Sequence, residues 1–245
     1  MNKILKITLG FLLLASPTFA QINDFSGITT YRNIAQTFFI KSDNNTYDIN
    51  EISGSPFLNK NFNKGYVLNT NSNNKVQTYL RYDIYNDLFE IKLDSNSESL
   101  KTLERSVNYE YLLNGEKFVL IESSNVINEN HYTTGNGYVV ELIPSIDRVG
   151  LYKRYSSKLI PGKKATSSYG KDTKPSIRNS VKYFLKLQEK FVQVEDHKRR
   201  ILDAFPDNQK KLKKYIKGKG FKFRGSDRKI QNQMVKVVRY YNSLN

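Results

Sequence analysis

A chain of 245 residues with 39 Lys+Arg against 23 Asp+Glu carries a formal charge of +16, and it holds 17 Tyr and 14 Phe but no Cys and no Trp. The absence of Cys excludes disulfides, thiolate zinc sites, iron–sulfur clusters and cysteine nucleophiles. With hydrophobic residues at only 38%, the aromatics must anchor the core.

Met1 to Lys6 carries two lysines, Ile7 to Ser16 is a short apolar run, and Thr18-Phe19-Ala20 brings small residues three and one places before Gln21. This is the layout of a secretory signal peptide, residues 1–20, cut after Ala20. Its apolar run of about ten residues falls short of the roughly twenty that span a bilayer. No later stretch approaches a transmembrane length. The sequence therefore predicts an exported chain, periplasmic or extracellular.

Residues 42–75 are Asn-rich and read as turns between short extended pieces. From Val76 the period becomes two: Val76, Thr78, Leu80, Tyr82 and Ile84 fall on one side, with Gln77, Tyr79, Arg81 and Asp83 on the other. A two-residue turn at Asn86-Asp87 would set Ile84 opposite Phe89, Tyr82 opposite Ile91 and Leu80 opposite Leu93. It would also set Asp83 opposite Glu90 and Arg81 opposite Lys92, clashes that the Arg81–Glu90 and Asp83–Lys92 diagonals must relieve. Asn114-Gly115 supplies a type I′ turn and places Tyr111 across from Phe118. Tyr138 to Ile143, Val149 to Tyr155, Val181 to Leu187 and Phe191 to Val194 are further extended runs. Pro161 to Ser180, rich in Gly, Ser, Lys and Pro, predicts a protruding, mobile basic loop.

The last fifty residues change period. Asp196 caps a short helix through Ile201, Leu202 and Phe205 that Pro206 ends. Asp207 caps a second to about Lys217, stopped by Gly218 and Gly220, and Ser226-Asp227 opens a third. Apolar residues Ile230, Met234, Val237, Tyr241 and Leu244 are spaced as one face of that helix. The fold expected is α+β: an antiparallel β meander, barrel or sandwich-like, over residues 21–194, then three short helices in a basic region over 195–245.

Charge follows the same division. Residues 21–146 carry a net −5, residues 147–194 a net +9 and residues 195–245 a net +10. A bunched positive charge is the footprint of a polyanion-binding surface. Lys210, Lys211, Lys213, Lys214 and Lys217 crowd the second helix, and Lys219, Lys222, Arg224, Arg228 and Lys229 follow, with Phe221 and Phe223 interleaved. Basic and aromatic residues in alternation can hold a polyanion while stacking on rings. Lys outnumbers Arg here and export removes the chain from the genome, so an anionic glycan or lipid of the envelope is expected rather than nucleic acid.

Catalytic signals are weak. His131 and His197 are the two histidines, separated by 66 positions and without metal-ligand spacing. No Walker loop, nucleophile elbow or dinucleotide fingerprint occurs, and no cofactor is expected. Ser168–Lys171 and Ser226–Lys229 match S-x-x-K at the rate chance gives in a chain rich in both residues, without the companion K-T-G. Asp83, Asp87 and Glu90 gather near one hairpin without calcium-loop spacing, so no metal is expected there.

Gly54-Ser55-Pro56-Phe57-Leu58, the run Leu80 to Glu90, and the closing Tyr240-Tyr241-Asn242-Ser243-Leu244 together resemble a family of uncharacterised exported proteins of Gram-negative bacteria. The resemblance implies a periplasmic or surface location and brings no catalytic residue with it. Three functions follow as expectations: an envelope protein binding an anionic surface or polymer through its basic half, a hydrolase with carboxylates such as Asp83 and Glu90, or an accessory subunit docking a partner through its terminal helix.

Overall fold

The computed structural model describes Arg32–Asn33, Phe39–Ser42 and the chain from 45 to 244, apart from residues 97–99, 104, 122–125, 128–136, 147, 166–169, 189 and 195–199. Residues 1–20, expected as a signal peptide, lie outside the described residues, as do His131, Asp196 and His197.

Fourteen strands are described: β1 (Arg32–Asn33), β2 (Phe39–Ser42), β3 (Asn45–Asp48), β4 (Asn63–Asn69), β5 (Lys75–Asp83), β6 (Leu88–Lys92), β7 (Lys101–Leu103), β8 (Tyr109–Leu113), β9 (Glu116–Ile121), β10 (Val126–Ile127), β11 (Gly137–Ile143), β12 (Val149–Ile160), β13 (Ser176–Leu187) and β14 (Lys190–Val194). Twelve form one sheet in the order β1-β7-β6-β5-β4-β8-β9-β11-β12-β13-β14-β10, and β2 pairs with β3 separately. Every pairing in the large sheet is antiparallel except β10 with β14. The expected meander is present, but it is not a barrel. The two-residue end strands β1 and β10 pair with β7 and β14 and not with each other.

The alternation of β5 appears as burial: Thr78, Leu80, Tyr82 and Ile84 are buried while Gln77 is exposed. Its partner register differs from the expected one. Four residues, Ile84 to Asp87, make the turn, so Tyr82 faces Phe89, Leu80 faces Ile91 and Arg81 faces Glu90. A shift of two residues keeps every side chain on its face, so hydrophobicity cannot distinguish the registers. Charge can: the longer turn removes the Asp83–Glu90 and Arg81–Lys92 clashes and puts opposite charges across the ladder. The second hairpin forms as expected, with Asn114 and Gly115 at positive φ and Tyr111 opposite Phe118.

Two stretches expected as loop contain strand. Asn63–Asn69 is β4, central in the sheet. In 161–180, Ser176 to Ser180 belong to β13, and Lys163 bridges Thr173.

One face of the sheet carries an aromatic core in which Phe89 stacks on Tyr111 at 4.0 Å and Tyr138 meets both edge-on. On the same face, the β12–β14 end is covered by α1 (Gln209–Gly218) and α2 (Asp227–Asn242). Met234, Val237, Val238 and Tyr241 of α2 are buried there, with Ile230 half-buried. The first of the three expected helices, through Ile201, Leu202 and Phe205, is reduced to a single 3-10 turn at Leu202–Ala204. Ile201 and Phe205, both buried, fix the chain on either side of it, and Pro206 prevents extension. Asn208, not Asp207, occupies the N-cap position of α1, at φ +55° and without a side-chain capping bond. The Asp207 carboxylate instead accepts from Arg148 at 2.5 Å and from the Tyr241 hydroxyl at 2.8 Å.

Candidate functional site

The α-helical rotation of about 100° per residue arranges α1. Leu212 and Ile216 point into the core, and Lys210, Lys213, Lys214 and Lys217 span about 100° of arc on the opposite side. Lys211 lies on the shoulder beside Tyr215. A glycine turn follows: Gly220 takes φ +64° and the Phe221 N–H closes onto the Ile216 carbonyl at 3.1 Å. Along the connection that follows, Phe221 and Phe223 are turned inward and Lys222 and Arg224 outward, with Phe223 at φ +48°. The Phe223 N–H donates to Gln233 Oε1 at 2.8 Å, pinning this connection to α2.

All ten predicted cations, Lys210, Lys211, Lys213, Lys214, Lys217, Lys219, Lys222, Arg224, Arg228 and Lys229, are exposed. None pairs with a carboxylate among the described residues. Ring stacking on a ligand is corrected for Phe221 and Phe223: they are 8% and 3% exposed and belong to the core. Tyr215 is instead the half-buried ring at this surface, stacked on Tyr240 at 4.0 Å. An open cavity of about 350 Å³ lies at the start of α2, with Phe221, Arg228, Lys229, Asn232 and Lys236 in its wall. Lys236 is a cation that the sequence reading missed. Its i+7 and i+8 spacing from Lys229 and Arg228 was the available signal.

The carboxylates of the first hairpin do not converge on a common point. Arg81 Nε donates to Glu90 Oε2 at 2.6 Å, and its guanidinium lies over the rings of Phe57 and Phe62. Asp83 accepts from the backbone and side chain of Asn86. Burial pushes both the Glu90 and Asp83 carboxyls up, against the lowering effects of Arg81 on the first and the Asn86 hydrogen bonds on the second.

Asp87 sits in the turn at φ +52° and accepts from the Tyr82 hydroxyl at 2.5 Å, the Tyr138 N–H at 3.2 Å and Arg154 at 3.2 Å. Arg105 approaches it at 3.5 Å. Burial, with Asp87 next in effect, pushes the Tyr82 hydroxyl well up. Among the described residues no group of three or more His, Asp or Glu could hold a metal ion.

A further polar cluster went unseen in the sequence. Lys153, 4% exposed on β12, pairs with Glu116 and donates to Gln231 of α2 at 2.8 Å. The Tyr155 hydroxyl donates to the same Glu116 at 2.8 Å. Among the described residues no helix is long and apolar enough to cross a membrane. No family model matches the chain, and neither a curated protein nor a solved structure matches it.

Proposed function

We propose that this is an exported envelope protein whose basic C-terminal region binds an anionic surface or polymer, a glycan or lipid bearing negative groups. The observation that carries this reading is the run of ten exposed cations along α1, the connection and the first turn of α2, without a neutralising carboxylate among the described residues. Such an arrangement keeps its field in solvent and gives a binding free energy dominated by counterion release. The signal-peptide layout of residues 1–20 supports an envelope location. The buried Phe221 and Phe223 restrict the contact to charge, with Tyr215 and Tyr240 as the adjoining ring surface.

The alternatives have less support. Glu90 is wholly buried under Arg81, which leaves a hydrolytic carboxylate without access to substrate. The α2 stripe contributes Met234, Val237 and Tyr241 to the core, which leaves little of it for a partner.

The test is retention on immobilised heparin and on vesicles containing an anionic lipid, as a function of salt, for the chain without residues 1–20. Affinity should fall steeply with salt, and changing Lys210, Lys213, Lys214 and Lys217 to Gln should lower the slope of log affinity against log salt by up to about four. Salt-insensitive binding, or a slope unchanged by the four substitutions, refutes the reading.

A further inference from the structure

The β12–β13 hairpin carries a second cationic surface, remote in sequence from α1. Residues 153–182 hold nine Lys+Arg against the single acid Asp172. The register orders part of this charge: Arg154 faces Lys182, Ser156 faces Ser180 and Lys158 faces Arg178. Alternation along each strand puts all six side chains on one face of the ladder. The opposite face is anchored, since Leu159 and Ile177 are buried against Ile52. Residues 53–55 strap that side through hydrogen bonds from the Ile177 N–H to the Ser53 carbonyl and from Asn179 to the Ser55 carbonyl. The cationic ladder is therefore held on a supported sheet rather than on a free loop.

Two features favour an anionic ligand here. Like charges directly across a ladder repel, and both cationic rungs are like-charge pairs. Asp87 neutralises only part of the inner rung, because Arg154 shares that carboxylate with Arg105. Lys158, Arg178 and Lys182 have no ion pair among the described residues, and Lys158 and Arg178 are exposed.

We infer that this ladder is a binding site for an anionic polysaccharide lying along the hairpin. The rungs are four residues apart, about 13 Å at strand rise. Between them stands the uncharged Ser156/Ser180 rung, whose hydroxyls both donate and accept. Spaced charges separated by hydroxyl-rich units match that pattern. A polyphosphate, charged at every unit and able only to accept, leaves the serine rung opposite unmatched charge. A lipid surface would call for several large apolar residues at the hairpin tip, and residues 161–175 carry four lysines and a single aromatic, Tyr169.

The inference uses none of the α1 cations, so the two surfaces can be tested apart. Heparin, a polyphosphate of matched length and anionic vesicles serve as probes for the wild-type chain, the variant K158Q/R178Q and the four-lysine α1 variant. The expected result is about tenfold weaker heparin binding by K158Q/R178Q at 0.1 M salt, with the salt slope reduced by about two. The hairpin variant should unfold at the same temperature as wild type or higher, because it removes a like-charge pair. The decrement should persist when combined with the α1 substitutions. Unchanged heparin binding by K158Q/R178Q overturns the inference whatever the α1 variant does. Tighter binding of polyphosphate or vesicles than of heparin, lost in K158Q/R178Q, overturns the choice of a polysaccharide.

Discussion

Arg81 stands directly across the β5–β6 ladder from Glu90, its Nε 2.6 Å from Oε2, with Phe57 and Phe62 enclosing the guanidinium. The Glu90 side chain has no exposure and the Arg81 side chain only 13%. Glu90 Oε1 accepts no hydrogen bond among the described residues, so Arg81 carries most of the compensation for this buried charge. Removing one member of a buried pair is far more costly than replacing both. Arg81→Met should therefore lower stability by about 3 kcal/mol, read as a shift in urea midpoint at constant m. The double variant Arg81→Met with Glu90→Leu should recover much of that loss.

The same carboxylate sets a pH dependence. Burial raises the folded Glu90 carboxyl above its ordinary value, so the folded state holds this proton more tightly than the unfolded chain. The stability it contributes is fully present below about pH 4, where the unfolded carboxyl also titrates. It is lost as pH rises through the raised folded value. Asp83, raised by burial as well, acts in the same direction. The difference in unfolding free energy between wild type and Glu90→Gln should slope as pH rises above the ordinary carboxyl range and level off once the raised folded value is passed. A flat difference would mean that Glu90 titrates normally in the folded chain.

How far the sequence foretold these features depends on what distinguished the alternatives locally. Asn114-Gly115 can adopt both positive φ angles of a two-residue turn, and that fixed the Tyr111–Phe118 register. Asn86-Asp87 carries a weaker signal, and the competing registers differ by two residues with identical apolar faces. The Arg81–Glu90 pairing was the one local discriminator. β4 was hidden because its Asn residues read as turn formers, while its value to the fold comes from Val67 and Gly65 between β5 and β8. Gly65 leaves room for the Leu80 side chain, an effect visible only once the strands are side by side.

The lysine face of α1 was legible because helical period alone separates it from Leu212 and Ile216. The inward turn of Phe221 and Phe223 was not, since it depends on a hydrogen bond from residue 223 to Gln233 on another helix. The ladder on β12–β13 was hidden for a similar reason. Composition showed the positive charge, but only the register shows which cations face one another.

Gly137 marks a different dependence on close approach. A methyl group at this position would lie 2.7 Å from Asp87 Oδ2 and closer still to the Arg154 guanidinium. Ala would otherwise suit a strand better than Gly. Gly137→Ala should nevertheless destabilise by about 2 kcal/mol through overpacking, a fall of roughly 4–8 °C in Tm for a chain of this size. Asp87→Asn should leave more stability than Gly137→Ala if the ion pair matters less than the space it occupies. The reverse order would assign the larger share to the charge.

Lys153 joins the sheet to α2, and its loss should be felt there first. Its ammonium pairs with Glu116, donates to Gln231 and lies 4.8 Å from the centroid of the Tyr155 ring. Lys153→Met keeps the stem volume and removes the charge, leaving Glu116, 23% exposed, facing the Tyr155 hydroxyl without a cation. The cost should be about 2 kcal/mol, below the figure for a sealed pair because water reaches Glu116. Since Gln231 loses its partner as well, amide exchange should accelerate across α2 before it does in β5, β6 or β8, which belong to the separate aromatic core. Uniform acceleration through both cores would show instead that the sheet and helices unfold as one unit, with Lys153 supporting the whole.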